Sequence, residues 1–99
     1  MDNNHENLLC KGFTDSTGRP YYIGDIAMNM FFGDLWTVSK ATEPNSECPY
    51  MLDLWGDPEY YQIDLDEPED FAIVKHPWDE GYDQLIKEIK ETRQKIDEI

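Results

Sequence analysis

Ten carboxylates and no lysine or arginine lie between Lys40 and Lys75: Glu43, Glu47, Asp53, Asp57, Glu59, Asp64, Asp66, Glu67, Glu69 and Asp70. Carboxylates in such numbers have three chemical uses. Paired, they do acid–base work, as in glycoside hydrolysis. Spaced along a loop, they bind calcium. Gathered on a surface, they attract a cationic partner. The first use is poorly matched, because the acids fall mostly on expected turns and solvated faces, and 99 residues leave little room for a cleft. The second fails on spacing. Asp64 to Asp70 begins like a calcium loop, but Glu69 stands where glycine is required and Lys75 where a bidentate glutamate belongs. The third use fits. The same segment holds Tyr50, Met51, Leu52, Leu54, Trp55, Tyr60, Tyr61, Ile63, Leu65 and Phe71, apolar content that a disordered acidic tail lacks.

Other reactive residues are sparse. Cys10 and His76 would form a dyad only through tertiary proximity. His76 precedes Pro77 and reads as a surface or loop histidine, and His5 lies in a polar N-terminal arm. There is no G-x-S-x-G, C-x-x-C or H-E-x-x-H motif and no phosphate-cradling glycine loop. The expectation is therefore no enzyme, no cofactor and no designed metal site. Cys10 and Cys48 read as reduced, small hydrophobes ahead of a disulfide pair. Formal net charge is −14, from 22 acids and 8 bases. That sign argues against direct binding to nucleic acid or anionic lipid. No apolar run approaches the roughly 20 residues of a membrane span, and the first residues do not resemble a signal peptide, so a cytoplasmic protein is expected.

Short apolar runs separated by turn residues must carry these groups. Ile26–Phe32, Leu35–Val38, Tyr50–Trp55, Tyr60–Leu65 and Phe71–Val74 have strand character, with Gly33-Asp34 as a hairpin turn, and Leu8–Phe13 reads as a first strand or an arm. In Tyr60–Leu65, Tyr61, Ile63 and Leu65 would face inward, and Asp64 and Asp66 outward. From residue 79 the period changes. Tyr82, Leu85, Ile89, Thr92, Ile96 and Ile99 form one stripe, widened by Ile86, with Asp79 as the expected N-cap. The predicted class is α+β: a small antiparallel β-barrel or rolled sheet of about five strands followed by one C-terminal amphipathic helix. The divisions are a flexible arm at 1–7, a β-rich domain at 8–78 and the helix at 79–99. The helix stripe packs on its own domain or makes a homodimer seam through Leu85, Ile89, Ile96 and Ile99.

One block has a family likeness. Gly12-Phe13-Thr14-Asp15-Ser16-Thr17-Gly18-Arg19-Pro20-Tyr21-Tyr22-Ile23-Gly24-Asp25-Ile26 resembles the G-L-x-D-x-x-G-K/R-x-I-Y-x-G-D-I block of the YopX family of phage proteins. Asp70–Val74, with Asp79, Glu80 and Leu85, loosely resembles that family's closing strand and acidic stretch. The likeness implies a β-rich phage or prophage protein and brings no catalytic site. The acidic middle and the long helix depart from the family.

The functional expectation is a small acidic interaction protein of phage type. It binds and inhibits a basic, nucleic-acid-binding host protein, of anti-CRISPR or anti-restriction kind, in the bacterial cytoplasm. Asp64 and Asp66, about 6.7 Å apart on one strand face, would imitate a phosphate repeat. The expected partner surface comprises Asp53, Trp55, Asp57, Glu59, Tyr60, Asp64, Asp66, Glu67, Glu69 and Asp70. The alternative is a non-catalytic oligomeric structural or regulatory module of YopX-like fold.

Overall fold

The computed structural model describes residues 5–41, 48–57 and 59–97, the last two without their side chains. Among the described residues, seven strands form two antiparallel sheets. β1 (Leu9–Thr14) and β2 (Pro20–Tyr22) make a hairpin. β3 (Ile26–Asn29), β4 (Leu35–Lys40), β5 (Tyr50–Leu54), β6 (Gln62–Asp64) and β7 (Phe71–Lys75) make a five-stranded sheet in the order β6-β5-β4-β3-β7. The sheet does not close into a barrel, since β6 and β7 remain its edges. A rolled sheet with one C-terminal helix, α1 (Tyr82–Asp97), describes the molecule. No helix among the described residues is long and apolar enough to cross a membrane.

Alternation sorts the two faces of the sheet. Ala27, Trp36, Val38, Leu52, Phe71 and Ile73 are buried together with Cys10 and Tyr21 of the hairpin. Ile26 and Thr37 are cross-strand neighbours and face the other way, toward the helix side. There Tyr82, Ile86 and Ile89 border one groove with Thr37 and Trp55. The helix is fixed at both ends. The Tyr82 hydroxyl donates to the Gly24 carbonyl, and the Arg93 guanidinium lies 3.7 Å over the Tyr60 ring. Gly24, at φ +92, admits no side chain, because a Cβ would sit 2.8 Å from Pro77 Cγ.

Several expectations are corrected here. Ile89 is only 4 % exposed, so it is a core residue of its own protomer and not a free seam. Leu85 is half-buried at the edge of the same packing. Ile99 and the Ile96 side chain lie outside the described residues. The Asp79 carboxylate accepts from the His76 N–H, closing the turn before the helix, and does not cap the helix. The strand expected at Tyr60–Leu65 begins at Gln62, which leaves Tyr61 56 % exposed. Of the N-terminal arm, residues 1–4 lie outside the described residues. Glu6–Leu8 form a 3-10 turn, and the His5 ring stacks on Trp78 at 3.6 Å.

Burial of Ile89 makes a simple prediction. Ile89→Ala should lower stability by about 2–4 kcal/mol in urea unfolding. The molar mass by light scattering should stay unchanged, whereas dissociation of a dimer would mark the residue as a seam.

Candidate interaction surface

The ten carboxylates separate into groups with different tasks. Asp53 is buried, 6 % exposed, and accepts hydrogen bonds from Gln62 Nε2 at 2.6 Å and Ser39 Oγ at 3.2 Å. These donors compensate its desolvation and stitch β4, β5 and β6. Asp53 is therefore removed from the partner surface. Asp57 lies 3.6 Å from Arg93 and accepts the Glu59 N–H at 3.0 Å. Trp55 stacks on Tyr60 at 5.7 Å, under Arg93. The expected aromatic anchors thus clamp the helix end, and one expected acid is matched by a helix cation. Glu59 stays exposed on this hairpin tip. Glu43 and Glu47 lie outside the described residues.

The remaining acids gather on one crest. The chain leaves β6 at Asp64, crosses the end of the sheet, and enters β7 at Phe71. Leu65, fully buried, and Phe71, 4 % exposed, are the two pegs of this crossing. Between them Pro68–Asp70 forms a 3-10 turn. The Tyr21 hydroxyl donates to the Pro68 carbonyl at 2.7 Å, and the Leu65 N–H donates to Tyr50 O at 3.0 Å. Asp64, Asp66, Glu67 and Glu69 are exposed on this fixed backbone, with Asp70 half-buried. Among the described residues no lysine or arginine makes a salt bridge to them. The Glu67 carboxyl is held above its ordinary value, first by a hydrogen bond with the Asp70 carboxyl, then by the charges of Asp70 and Asp66. The acids are close enough to feel one another. The regular strand repeat of Asp64 and Asp66 does not form, because β6 ends at Asp64.

Beside the crest stands a feature that the sequence reading placed inside a strand. Met30, Phe31 and Phe32 are 52 %, 73 % and 83 % exposed. Asn29 ends β3 and turns the chain. Its Oδ1 accepts the N–H groups of Phe31 and Phe32 at 2.8 and 3.0 Å, and the Gly33 N–H donates to Asn29 O at 2.8 Å. The Met30 N–H donates to Asp70 O at 2.9 Å, which ties this knuckle to the crest. The Asn29 side chain was the available signal for a turn starting four residues before Gly33.

His76 also differs from its sequence reading. Its Nδ1 lies 2.7 Å from Oδ1 of the fully buried Asp25, whose Oδ2 accepts the Tyr22 N–H. The ring stacks on Trp78 at 4.7 Å and meets Tyr22 edge-on at 5.5 Å. This pairing clamps the β2–β3 turn to the end of β7. A carboxylate–imidazole pair is also the arrangement that orients a general base. Cys10, the thiol that could pair with His76 only through tertiary proximity, is fully buried, and burial, then Asp25, then Cys48 push it up to about 12. It is therefore protonated at neutral pH. Cys10 and Cys48 form no disulfide. Among the described residues no group of His, Cys, Asp and Glu is arranged to hold a metal ion.

The Asp25 carboxyl is pushed up to about 6 by burial and by Asp79, against the pull of His76 and the Tyr22 N–H. A raised carboxyl favours the fold while protonated, and that contribution is lost as pH rises from about 4 through 6. Asp25→Asn should remove this slope, worth on the order of 1–3 kcal/mol, from a series of urea midpoints between pH 4 and 7. An unchanged slope would place the titration elsewhere.

No family model, curated protein or solved structure matches this chain.

Proposed function

We propose that this is a non-catalytic interaction protein that uses the crest from Asp64 to Asp70 to bind a basic protein. The observation that carries the reading is the exposure of Asp64, Asp66, Glu67 and Glu69, with no lysine or arginine salt-bridged to them among the described residues, on a backbone pinned by Leu65, Tyr21 and Phe71. Neighbouring like charges repel, and a cationic partner relieves that repulsion. A fixed array gives up little conformational entropy on binding. A protein that normally holds nucleic acid offers the complementary field, a basic groove.

Within this proposal the partner is a nucleic-acid-binding protein of a bacterial host, and binding inhibits it, as an anti-CRISPR or anti-restriction protein does. The phage setting comes from the Gly12–Ile26 likeness to the YopX family, and the bacterial cytoplasm is proposed with it. The reading uses a compact acidic cluster and no phosphate-like strand spacing.

Affinity capture from bacterial lysate tests it, with the bound proteins identified. The expected result is a basic, nucleic-acid-binding protein retained at low salt, released at high salt, and unable to bind its nucleic acid while held. Retention of acidic proteins, or of a partner indifferent to salt, would contradict it.

A further inference from the structure

We infer that the Met30–Phe32 knuckle is the apolar anchor of the same interface, and that the partner presents an apolar recess rimmed by lysine or arginine. This inference rests on the crest as a binding surface and adds what the crest meets. Three consecutive large apolar side chains stand out from a turn whose backbone N–H groups are already bonded, so their exposure is built in. Adjacent exposed side chains of this size are an interaction signal that scattered apolar residues are not. Charge selects the occupant. Main-chain hydrogen bonds set two acidic residues beside the knuckle: the Asp34 carbonyl accepts the Asn29 N–H, and the Asp70 carbonyl accepts the Met30 N–H. Glu69, Glu67 and Asp66 precede Asp70 in the chain and are exposed. A second copy of a chain of net charge −14 would bring like charge against these acids, and so would an anionic bilayer. A recess with a cationic rim matches both the apolar centre and its acidic border, the usual anatomy of a protein interface.

Two synthetic helical peptides of equal positive charge test this, one with a leucine face between lysine rows and one with serine replacing leucine. Wild-type protein should bind the leucine peptide roughly tenfold or more tightly than the serine peptide, the expected return for covering two phenylalanines. The double substitution Phe31→Ser/Phe32→Ser should erase that preference and leave the serine-peptide affinity unchanged. Both residues are exposed, and their backbone bonds do not depend on the side chains. Asp66→Asn/Glu67→Gln/Glu69→Gln/Asp70→Asn should weaken both peptides. If the preference survives the serine double variant, the knuckle is not the anchor, although the crest reading stands. If the acid variant keeps both affinities, the crest reading fails, and the knuckle as anchor of that interface fails with it. Binding of neither peptide overturns both. Phenylalanine-dependent self-association in light scattering, or flotation with phosphatidylcholine vesicles, without a preference between the peptides, overturns the anchor in favour of those occupants.

Discussion

Asp15→Ala should destabilise the protein by about 3–5 kcal/mol, a large part of the roughly 5–15 kcal/mol that holds a domain together. The side chain is fully buried. Oδ1 accepts from the Thr17 N–H at 2.9 Å, the Thr17 hydroxyl at 2.7 Å and the Arg19 N–H at 2.9 Å, and Oδ2 accepts from the Ile73 N–H at 2.8 Å. One carboxylate thus closes the β1–β2 turn and fastens it to β7. Truncation orphans three backbone donors, each costing about 1–3 kcal/mol if water cannot reach it. Burial alone would raise this carboxyl, yet the donors, led by Ile73, hold it below its ordinary value. The stability it contributes is therefore present above the ordinary carboxylate range and is lost as pH falls through its lowered value. Asp15→Asn should fall between wild type and alanine, because an amide oxygen can still serve Thr17 and Arg19 while its NH2 group faces the Ile73 N–H. Urea unfolding checks this through the midpoint at constant m-value. Equal stability of alanine and wild type would mean the turn is held by other bonds.

Neutralising the crest should have the largest functional effect. Asp66→Asn/Glu67→Gln/Glu69→Gln/Asp70→Asn removes four charges without changing side-chain size. Steering by a focused field raises association rates by roughly 10–1000-fold, so the variant should associate with the captured basic protein about 10–100-fold more slowly at low salt. The difference should shrink toward high salt, where the Debye length falls to about 3 Å. Stability should hold or rise slightly, since like charges are being separated. Surface-plasmon association rates across a salt series measure both effects. A rate unchanged at low salt would remove the crest from the interface. Neutralising Asp57 should do little to binding, because its charge is already opposed by Arg93 at 3.6 Å.

The sequence was most legible where local chemistry decides the outcome. Asp15 and Gly18 are turn-forming residue types, and a turn forms around the Asp15 carboxylate, while the change of period after residue 79 marked the helix. It was least legible where a side chain answers to a distant element. Asp53 looked like any other acid of the middle segment, and only the pairing of β4, β5 and β6 brings Ser39 and Gln62 to it. Trp55 and Tyr60 looked like surface aromatics until Arg93, more than thirty positions away, settled over Tyr60. His76 gave no sign of Asp25, 51 positions earlier. Met30–Phe32 matched a strand by composition, and hydrophobicity does not tell a buried run from a presented one. Asp64 to Asp70 were found, but their common placement depends on the pegs Leu65 and Phe71 being buried at either end of the crossing.

The most direct measurement is a map of backbone amide shifts by NMR as the leucine–lysine peptide is titrated into the protein. The account predicts changes concentrated at residues 64–70 and 30–34, with the Glu59 hairpin tip and the outer face of α1 nearly still. Shifts spread over every exposed carboxylate in proportion to charge, or centred on the Glu59 tip, would show that the crest and knuckle are not a binding surface.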